Sequence, residues 1–301
     1  MSQEAAFIGA LRALATHPAA RGLADDAAVF EGLVITHDMI AEGVHYLATD
    51  PPEDVAWKLL AVNLSDLAAK GATPLAVLMG YALTGVAEWD ARFVAGLRIA
   101  LDHFDVGLIG GDTVALPDGA PRLLGLTAIG RAGEQIPSRA GAQVGDALFV
   151  TGTIGDAGLG LRAARGEIDA PALLAAYRRP VPQIAAGQVL APLVTAMMDV
   201  SDGVLIDAQR LATASGVGVQ LDLDAIPLSP AFVARAGTSR TARITAATAG
   251  DDYQLLFTCA TPLPKLLCPL TRIGQIVRGT GLSIFDCTGV VPLPDALGWE
   301  H

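Results

Sequence analysis

Acidic residues in glycine, serine or threonine contexts recur in this chain between residues 25 and 202. They occur in the segments DDAAVF, THDMIAEGVH, NLSDLAAKGATP, GGDT and MDVSDG. Magnesium is held by carboxylate oxygens together with waters and substrate phosphates, so such acids are typical of ligands that folding collects at one place. The pattern therefore predicts a fold that brings distant turns to one metal site. The acids concerned are Asp25, Asp26, Asp38, Asp66, Asp112, Asp199 and Asp202.

Length and charge narrow the class of protein. A chain of 301 residues exceeds what one hydrophobic core usually supports, so we expect two domains. Hydrophobic residues make up 52% and charged residues 17%, which indicates a folded protein rather than a disordered one. The net charge of -11 argues against a nucleic-acid partner, because phosphate backbones are bound through basic surfaces. An anionic substrate would have to bring cations with it.

The lack of a recognisable signal peptide and the pattern of cysteines predict a cytoplasmic protein. The segment MSQEAAFIGALRAL carries Glu4 and lacks a basic start, so it is interpreted as an amphipathic helix rather than a signal peptide. We find no uncharged apolar run of membrane-spanning length and expect no membrane association. Cys259, Cys268 and Cys287 lack metal-binding spacing, which favours structural thiols in a reducing compartment.

Apolar periodicity predicts alternating helices and strands in the first half of the chain. According to the predicted helix and strand ends, Asp38 lies just after a strand and Asp66 lies in the last turn of a helix. Asp112 lies in the glycine turn after a strand. The predicted order is a helix over 3–17, a strand over 33–36, a helix capped by Asp50 and stopped by Gly71, a strand over 75–83, a helix over 88–104, and strands over 106–111 and 122–132.

A linker is predicted over 132–146, where polar residues, glycine and proline interrupt the pattern. We place the domain boundary near Pro137, giving domains 1–136 and 137–301. Two strand–turn–helix units follow, over 147–164 and 195–223, and short strands are expected at YQLLFT and LSIFD. The second unit loosely echoes NLSDLAAKGATPLAVLM, which is weak evidence of related halves.

Each acid has an ordinary structural interpretation beside the functional one. Asp112 and Asp202 taken singly are as well explained as turn formers or helix caps. Taken together, carboxylates in one place repel each other, so either their pKa values rise or cations neutralise them. Asp66 is the sharpest case, because an acid in an apolar helical turn needs a partner when it is buried.

Common phosphate-binding motifs are missing from the sequence. No lysine follows a GxxxxG pattern, and the HRD and DFG signatures of protein kinases do not occur. The turn from Gly152 to Gly160 fits a phosphate cradle and, almost equally, a tight strand-to-helix connection. His17 and His103 are expected at helix C-termini, whereas His45, close behind Asp38, is the better candidate for a substrate contact.

At these residues the chain resembles thiamine-monophosphate kinase, of the superfamily that also holds aminoimidazole ribotide synthetase and selenophosphate synthetase. The resemblance runs from LADDAAVF to AGDDYQLLFT and includes SRAGAQVGDALFVTGTIGDAGLGL, in matching order and spacing. It implies an α/β protein of the α+β type that is aminoimidazole ribotide synthetase-like. Residues 1–136 would bind ATP and magnesium and form a barrel across a homodimer through a mixed sheet. Residues 137–301 would form an α/β domain over the nucleotide cleft.

The resemblance also implies an activity and a set of site residues. The activity is ATP-dependent phosphorylation of thiamine monophosphate to thiamine diphosphate, in line and assisted by several Mg²⁺ ions. The metal ligands would be Asp26, Thr36, His37 through its main chain, Asp38, Asp66, Asp112, Asp199 and Asp202. ATP would contact Gly111, Asp112, Arg139 and Ser201, and the catalytic groups would be Asp112, Asp202 and Arg139. The substrate would contact His45, Asp251 and Trp299.

Several positions depart from the family pattern. Ala24 replaces a glycine before the Asp pair, His37 stands where a small hydroxyl residue is usual, and Asp251 is one methylene shorter than the usual Glu. The tail GWEH lacks the usual final aromatic, which leaves Trp299 as the candidate to pack on the thiamine ring. Two rival functions stay open: another ligase of the superfamily acting on a formylglycinamidine-type substrate, and a non-catalytic nucleotide or metal sensor. Selenophosphate synthetase is disfavoured, because the first cysteine is Cys259.

Overall fold

Two mixed β-sheets, one in each half of the chain, organise the computed structural model, which describes residues 3–117, 119–260 and 262–300. In the first half the helices are α1 (Gln3–Arg12), α2 (Pro52–Ala69) and α3 (Ala87–Phe104). The strands are β1 (Ala28–Phe30), β2 (Leu33–Ala41), β3 (Thr73–Leu83), β4 (Gly107–Ala115) and β5 (Leu123–Arg131). They form a five-stranded sheet in the order β1-β2-β5-β3-β4, in which β3 and β4 are parallel.

The second half holds a seven-stranded sheet surrounded by shorter helices. Its strands are β6 (Ala147–Thr151), β7 (Ala196–Val200), β8 (Gly218–Asp222), β9 (Gln254–Cys259), β10 (Leu270–Val277), β11 (Gly281–Asp286) and β12 (Gly289–Val291). Its helices are α4 (Asp156–Ala164), α5 (Pro171–Arg178), α6 (Ile184–Leu190), α7 (Val204–Ser215), α8 (Pro230–Ala236) and α9 (Arg240–Ala247). The strand order is β12-β11-β8-β10-β6-β9-β7. The predicted two-domain fold class is confirmed in its α/β character and mixed sheets.

Helix α2 is buried on all sides, from Pro52 to Ala69 apart from its first turn. It packs on β2, β5 and α3 of its own half and on α6 and β7 of the other half. A helix that is apolar all round is expected inside a protein or inside a membrane. In the parts of the chain that the structure describes, no helix is both long enough and apolar enough to cross a bilayer.

Several predicted boundaries are wrong. Asp38 lies inside β2 and Asp112 lies inside β4, because both strands continue past the predicted ends. Successive residues of a strand point to opposite faces, so Thr36 and Asp38 share one face of β2 while His37 points to the other. Asp50 does not cap α2. It accepts a hydrogen bond from the Leu47 N–H at 2.8 Å instead.

Two further differences concern α1 and β10. Helix α1 ends at Arg12, and the Nδ1 atom of His17 accepts the Ala19 N–H at the start of a short 3-10 helix, so His17 is an N-cap and not a C-terminal residue. His103 does lie in the last turn of α3, as predicted. Strand β10 was missed, although it lies between β8 and β6 in the sheet.

One face of the first sheet remains exposed. All nine residues of its edge strand β4 are exposed, including Leu108, Ile109 and Val114. Met39 on β2 and Leu78 on β3 are also exposed. Large apolar side chains are thus exposed on three strands of this sheet.

The contact between α2 and α6 generates a prediction about stability. A methyl group on Gly187 of α6 would overlap the Ala68 carbonyl oxygen of α2. Gly187→Ala should therefore destabilise the protein by about 1–3 kcal/mol, the usual cost of overpacking a core. Thermal unfolding would measure this, with Gly9→Ala as the matched control because Gly9 has open space around it. Equal midpoints for the two variants would show that this helix contact is not tightly packed.

Candidate active site

A cleft of about 990 Å³ lies where the two halves of the chain meet. Its lining comes from α2, from the segment before β1 and from the turns that follow β7 and precede β9. Thr36, His37, Gly111 and Asp112 lie outside the lining. The predicted site residues that line it are Asp26, Asp38, His45, Asp66, Arg139, Asp199, Ser201, Asp202, Asp251 and Trp299.

Three carboxylates from distant parts of the chain converge in this cleft. Asp26 precedes β1, Asp66 lies near the end of α2, and Asp199 lies near the end of β7. Each offers an oxygen within 4.8 Å of the other two. Neutral hydroxyls hold two of them, because Thr36 donates to Asp66 Oδ2 and Ser65 donates to Asp199 Oδ2 at 2.7 Å. Oxygen donors at this spacing fit a hard divalent cation such as Mg²⁺.

Burial and mutual repulsion perturb the acidity of these groups. Burial, together with the neighbouring charges of Asp38, Asp199 and Asp26, raises the pKa of Asp66 well above its usual value. Burial and the charge of Asp26 raise the pKa of Asp199 to about 8. Burial also raises the pKa of Asp38, whose main-chain N–H donates to Asn63 Oδ1 at 2.9 Å. A bound cation would remove this repulsion, so the donor set fits the predicted metal.

Basic side chains neutralise part of the negative charge of Asp25 and Asp26. Lys70 is fully buried and forms an ion pair with Asp25 and another with Asp26 at 2.6 Å. Burial alone would raise the pKa of Asp25, but the charge of Lys70 and the hydrogen bonds from Lys70, Arg21 and Ser138 together outweigh it and lower that pKa to about 2. Asp25 is therefore held in ion pairs with Lys70 and Arg21, and it is not one of the three converging carboxylates. Arg139 pairs with Asp26 through Nε.

Asp202 has partners that the sequence analysis missed. Arg210 on α7 forms ion pairs with Asp202 and, at 2.9 Å, with Asp207. The Asp202 N–H also donates to Asp207 Oδ2 at 3.2 Å. Burial raises the pKa of Asp207 to about 7. In the sequence, the spacing of Asp207 and Arg210 at i and i+3 on a predicted helix indicates that these two side chains can pair.

The structure does not bring Asp112 to the acid cluster within one chain. Strand register places Asp38, Leu126, Met79 and Gly111 in one row across the sheet. Neighbouring strands are about 4.8 Å apart, so three spacings put Gly111 and Asp112 roughly 14 Å from Asp38. Asp112 is exposed, and its Oδ1 accepts the Thr113 N–H at 2.9 Å.

The end of the cleft near His45 is built by both halves of the chain. His45 Nδ1 accepts the Ala41 N–H at 3.1 Å. Asp251 pairs with Lys58 of α2 at 2.7 Å, a partner that sequence analysis missed although a lone lysine in an apolar helix was a signal for it. The main-chain N–H of Trp299 donates to the Asp202 carbonyl at 2.9 Å, which holds the C-terminal tail against the cleft. His301 lies outside the described residues.

The glycine turn before α4 is already filled by an acid of the chain. The Gly155 N–H contacts both carboxylate oxygens of Asp252, at 3.0 and 2.8 Å. Asp252 is buried. A helix N-terminus offers free N–H donors, and here a side-chain carboxyl group takes the position that a phosphate would occupy. Burial raises the pKa of Asp252 well above its usual value. The tight strand-to-helix connection is therefore the better of the two interpretations of this turn.

Comparisons with known proteins agree with this architecture. Residues 24–132 match the family described as AIR synthase related protein, N-terminal domain, and residues 143–258 match AIR synthase related protein, C-terminal domain. The thiamine-monophosphate kinase of Caulobacter vibrioides is 39% identical over 94% of this chain and 86% of its own length.

Solved structures of related proteins have a similar fold over nearly the whole chain. AaThiL complexed with AMPPCP and TMP superposes with a TM-score of 0.87 at 28% identity, covering 98% of this chain and 96% of that one. The thiamine-monophosphate kinase of Stenotrophomonas maltophilia has a TM-score of 0.77 at 36% identity, covering 92% of this chain and 94% of that one.

The two-sheet fold, the buried carboxylates and both domain matches define an AIR synthase-related protein. Identity to curated relatives over nearly the whole chain narrows this class. The chain belongs to the thiamine-monophosphate kinase family. The prediction that it is a kinase is confirmed with it.

The raised pKa of Asp199 generates a prediction about pH and stability. An unfolded aspartate titrates near 3.8, whereas folded Asp199 keeps its proton up to about pH 8. Between these values the folded state binds the extra proton, so this contribution to stability is full below pH 4 and is lost as pH rises to about 8. Metal-free Asp199→Asn should therefore lose less thermal stability than wild type between pH 5 and pH 8.

Differential scanning calorimetry in EDTA would measure this difference. Asp102→Asn is the matched control, because Asp102 is exposed on α3. Added Mg²⁺ should raise the wild-type midpoint at pH 8 more than that of Asp199→Asn. Parallel pH profiles for wild type and Asp199→Asn would contradict the assigned pKa.

Proposed function

We propose that the chain transfers the γ-phosphoryl group of ATP to thiamine monophosphate, giving thiamine diphosphate by direct in-line displacement with several Mg²⁺ ions. The convergence of Asp26, Asp66 and Asp199 carries this proposal, because polyphosphate binding in an acidic cleft requires cations. Membership of the thiamine-monophosphate kinase family supports the substrate pair, and the related AaThiL was solved with AMPPCP and TMP.

The residues divide into three groups in this proposal. Bound Mg²⁺ would neutralise phosphate charge and orient the reacting oxygens. The residues that would hold it are Asp26, Asp38, Asp66, Asp112, Asp199 and Asp202, with Thr36 and the main chain of His37. Arg139, Ser201 and Gly111 would contact the nucleotide. His45, Asp251 and Trp299 would contact thiamine monophosphate.

The acceptor chemistry explains why no strong base is required. A phosphate monoester has a second pKa of about 6, so the attacking oxygen is largely ionised at neutral pH. The protein must align two anions and screen their repulsion, and positioning of this kind supplies most of the catalysis in phosphoryl transfer. Asp112, Asp202 and Arg139 are the groups proposed to act at the transferred phosphoryl group. None of them has to accept a proton.

We also propose a domain division near Pro137 and a homodimer. Residues 132–146 form neither helix nor strand between β5 and β6, which supports the division. The exposed apolar surface along β4 supports pairing of two copies through the first sheet, as in the barrel that the family resemblance implies. Asp112 lies roughly 14 Å from Asp38 in the same chain. We therefore propose that a second copy supplies the Asp112 that completes each site.

The activity is tested directly with purified protein, ATP, Mg²⁺ and thiamine monophosphate, following thiamine diphosphate by chromatography. Asp66→Asn should lower kcat/KM by at least about a hundredfold, because it removes a carboxylate from the centre of the cation site. Asp102→Asn, on the exposed face of α3, should retain wild-type activity. Full activity in Asp66→Asn, or no thiamine diphosphate from wild type, would overturn the proposal.

Mixed dimers test the contribution of Asp112 from a second copy. Asp66→Asn and Asp112→Asn should each be inactive alone. When the two chains are co-expressed, half of the dimers are mixed, and each mixed dimer has one intact site, so about a quarter of wild-type activity should return. Light scattering would confirm the dimer.

A second mixture controls this experiment. Asp66→Asn with Asp199→Asn should stay inactive, because those two acids converge within one chain. If Asp112 acted within its own chain, the first mixture would stay inactive as well.

A further inference from the structure

Lys58 is a buried cation at the junction of the two halves of the cleft. The residue is 2% exposed and belongs to the buried helix α2. Its Nζ donates to the His45 carbonyl at 2.9 Å and to Asp251 Oδ2 at 2.7 Å. Lys58 thus contacts one residue from each half of the chain, His45 and Asp251. Both are proposed above to contact thiamine monophosphate.

The surroundings of Lys58 match the donor capacity of an ammonium group. An ammonium has three N–H donors. Two are used by His45 and Asp251, and the Nζ atom lies 4.2 Å from the ring centroid of Tyr177, which is the geometry of a cation–π contact. The side chain is therefore arranged to hold protein groups, and its role differs from that of a lysine that reaches for a phosphate.

Asp251 is fixed at several points by this arrangement. Its backbone has a φ of +67°, which is uncommon for a residue with a side chain. Its Oδ1 accepts the Tyr253 hydroxyl at 3.1 Å, and its N–H donates to the Ser201 carbonyl at 2.7 Å. Since Ser201 lies on the proposed nucleotide side, one connected set of contacts runs from Lys58 through Asp251 to the other subsite.

We propose that Lys58 is a positioning residue of the acceptor subsite, which sets the His45 and Asp251 walls and offsets the charge of Asp251. This inference rests on the proposed function. The thiazolium ring then meets a carboxylate that is oriented and partly neutralised by an internal ammonium. Loss of Lys58 leaves that carboxylate without its buried partner and frees the two walls from each other.

The test compares Lys58→Met with Lys265→Met, a matched loss of a lysine at an exposed position. Calorimetry would measure binding of thiamine monophosphate to protein saturated with Mg²⁺ and a β,γ-methylene ATP analogue. Lys58→Met should weaken this binding by about tenfold or more, as expected when one partner of a buried ion pair is removed. Affinity for the ATP analogue should stay unchanged, and KM for thiamine monophosphate should rise more than kcat falls. Lys265→Met should match wild type.

Two results would overturn the inference but leave the proposed function standing. The first is wild-type affinity for thiamine monophosphate in Lys58→Met. The second is an equal loss of affinity for both ligands together with a lower unfolding temperature, which a purely structural role would give. If Lys58→Met fails to fold, Lys58→Arg, which keeps the positive charge but changes the geometry of its donors, should fold and bind thiamine monophosphate more weakly than wild type. Wild-type affinity in Lys58→Arg would then overturn the inference. A wild-type protein that does not bind thiamine monophosphate at all would overturn the proposed function, and this inference with it.

Discussion

Repulsion among buried carboxylates is the constraint on which the rest of this structure depends. Asp26, Asp66 and Asp199 lie within 4.8 Å of one another, and burial favours their neutral forms. Among the three, only Asp26 forms direct ion pairs with basic side chains in the described residues, and these are Lys70 and Arg139. The remaining charge has to be balanced by protons or by cations. The fold therefore stabilises a cluster that becomes fully ionised only when a ligand brings positive charge.

Helix α2 makes that cluster possible, because it packs on strands of both sheets. It is buried on nearly all sides, yet Lys58, Ser65 and Asp66 within it and Lys70 directly after it are polar, and each has a partner outside the helix. Buried polar groups cost free energy unless they are paired. The partners of Lys58 and Ser65 are Asp251 and Asp199, which lie in the second half of the chain. The same contacts thus hold the two halves together and orient the site.

The sequence predicted the convergence of the acids better than their individual environments. The glycine, serine and threonine contexts of Asp66 and Asp199 marked positions at helix and strand ends, and such ends meet at one edge of a layered fold. Strand ends were harder: GGDT suggested a turn, but pairing with β3 keeps Asp112 inside β4. Strand β10 was missed because its position is set by neighbours from distant segments. The pairing of Asp251 with Lys58 depends on a tertiary contact between distant segments that periodicity does not encode.

The glycine turn before α4 is not free to bind a phosphate. Many phosphate-binding proteins use backbone N–H groups at a helix N-terminus to hold an anion. Here the Gly155 N–H is occupied by Asp252, a buried acid of the same domain. A phosphate would have to displace that carboxylate, so this helix end is not available to it. Attraction for a polyphosphate then has to come from elsewhere, and an acidic cleft can gather the divalent cations that supply it.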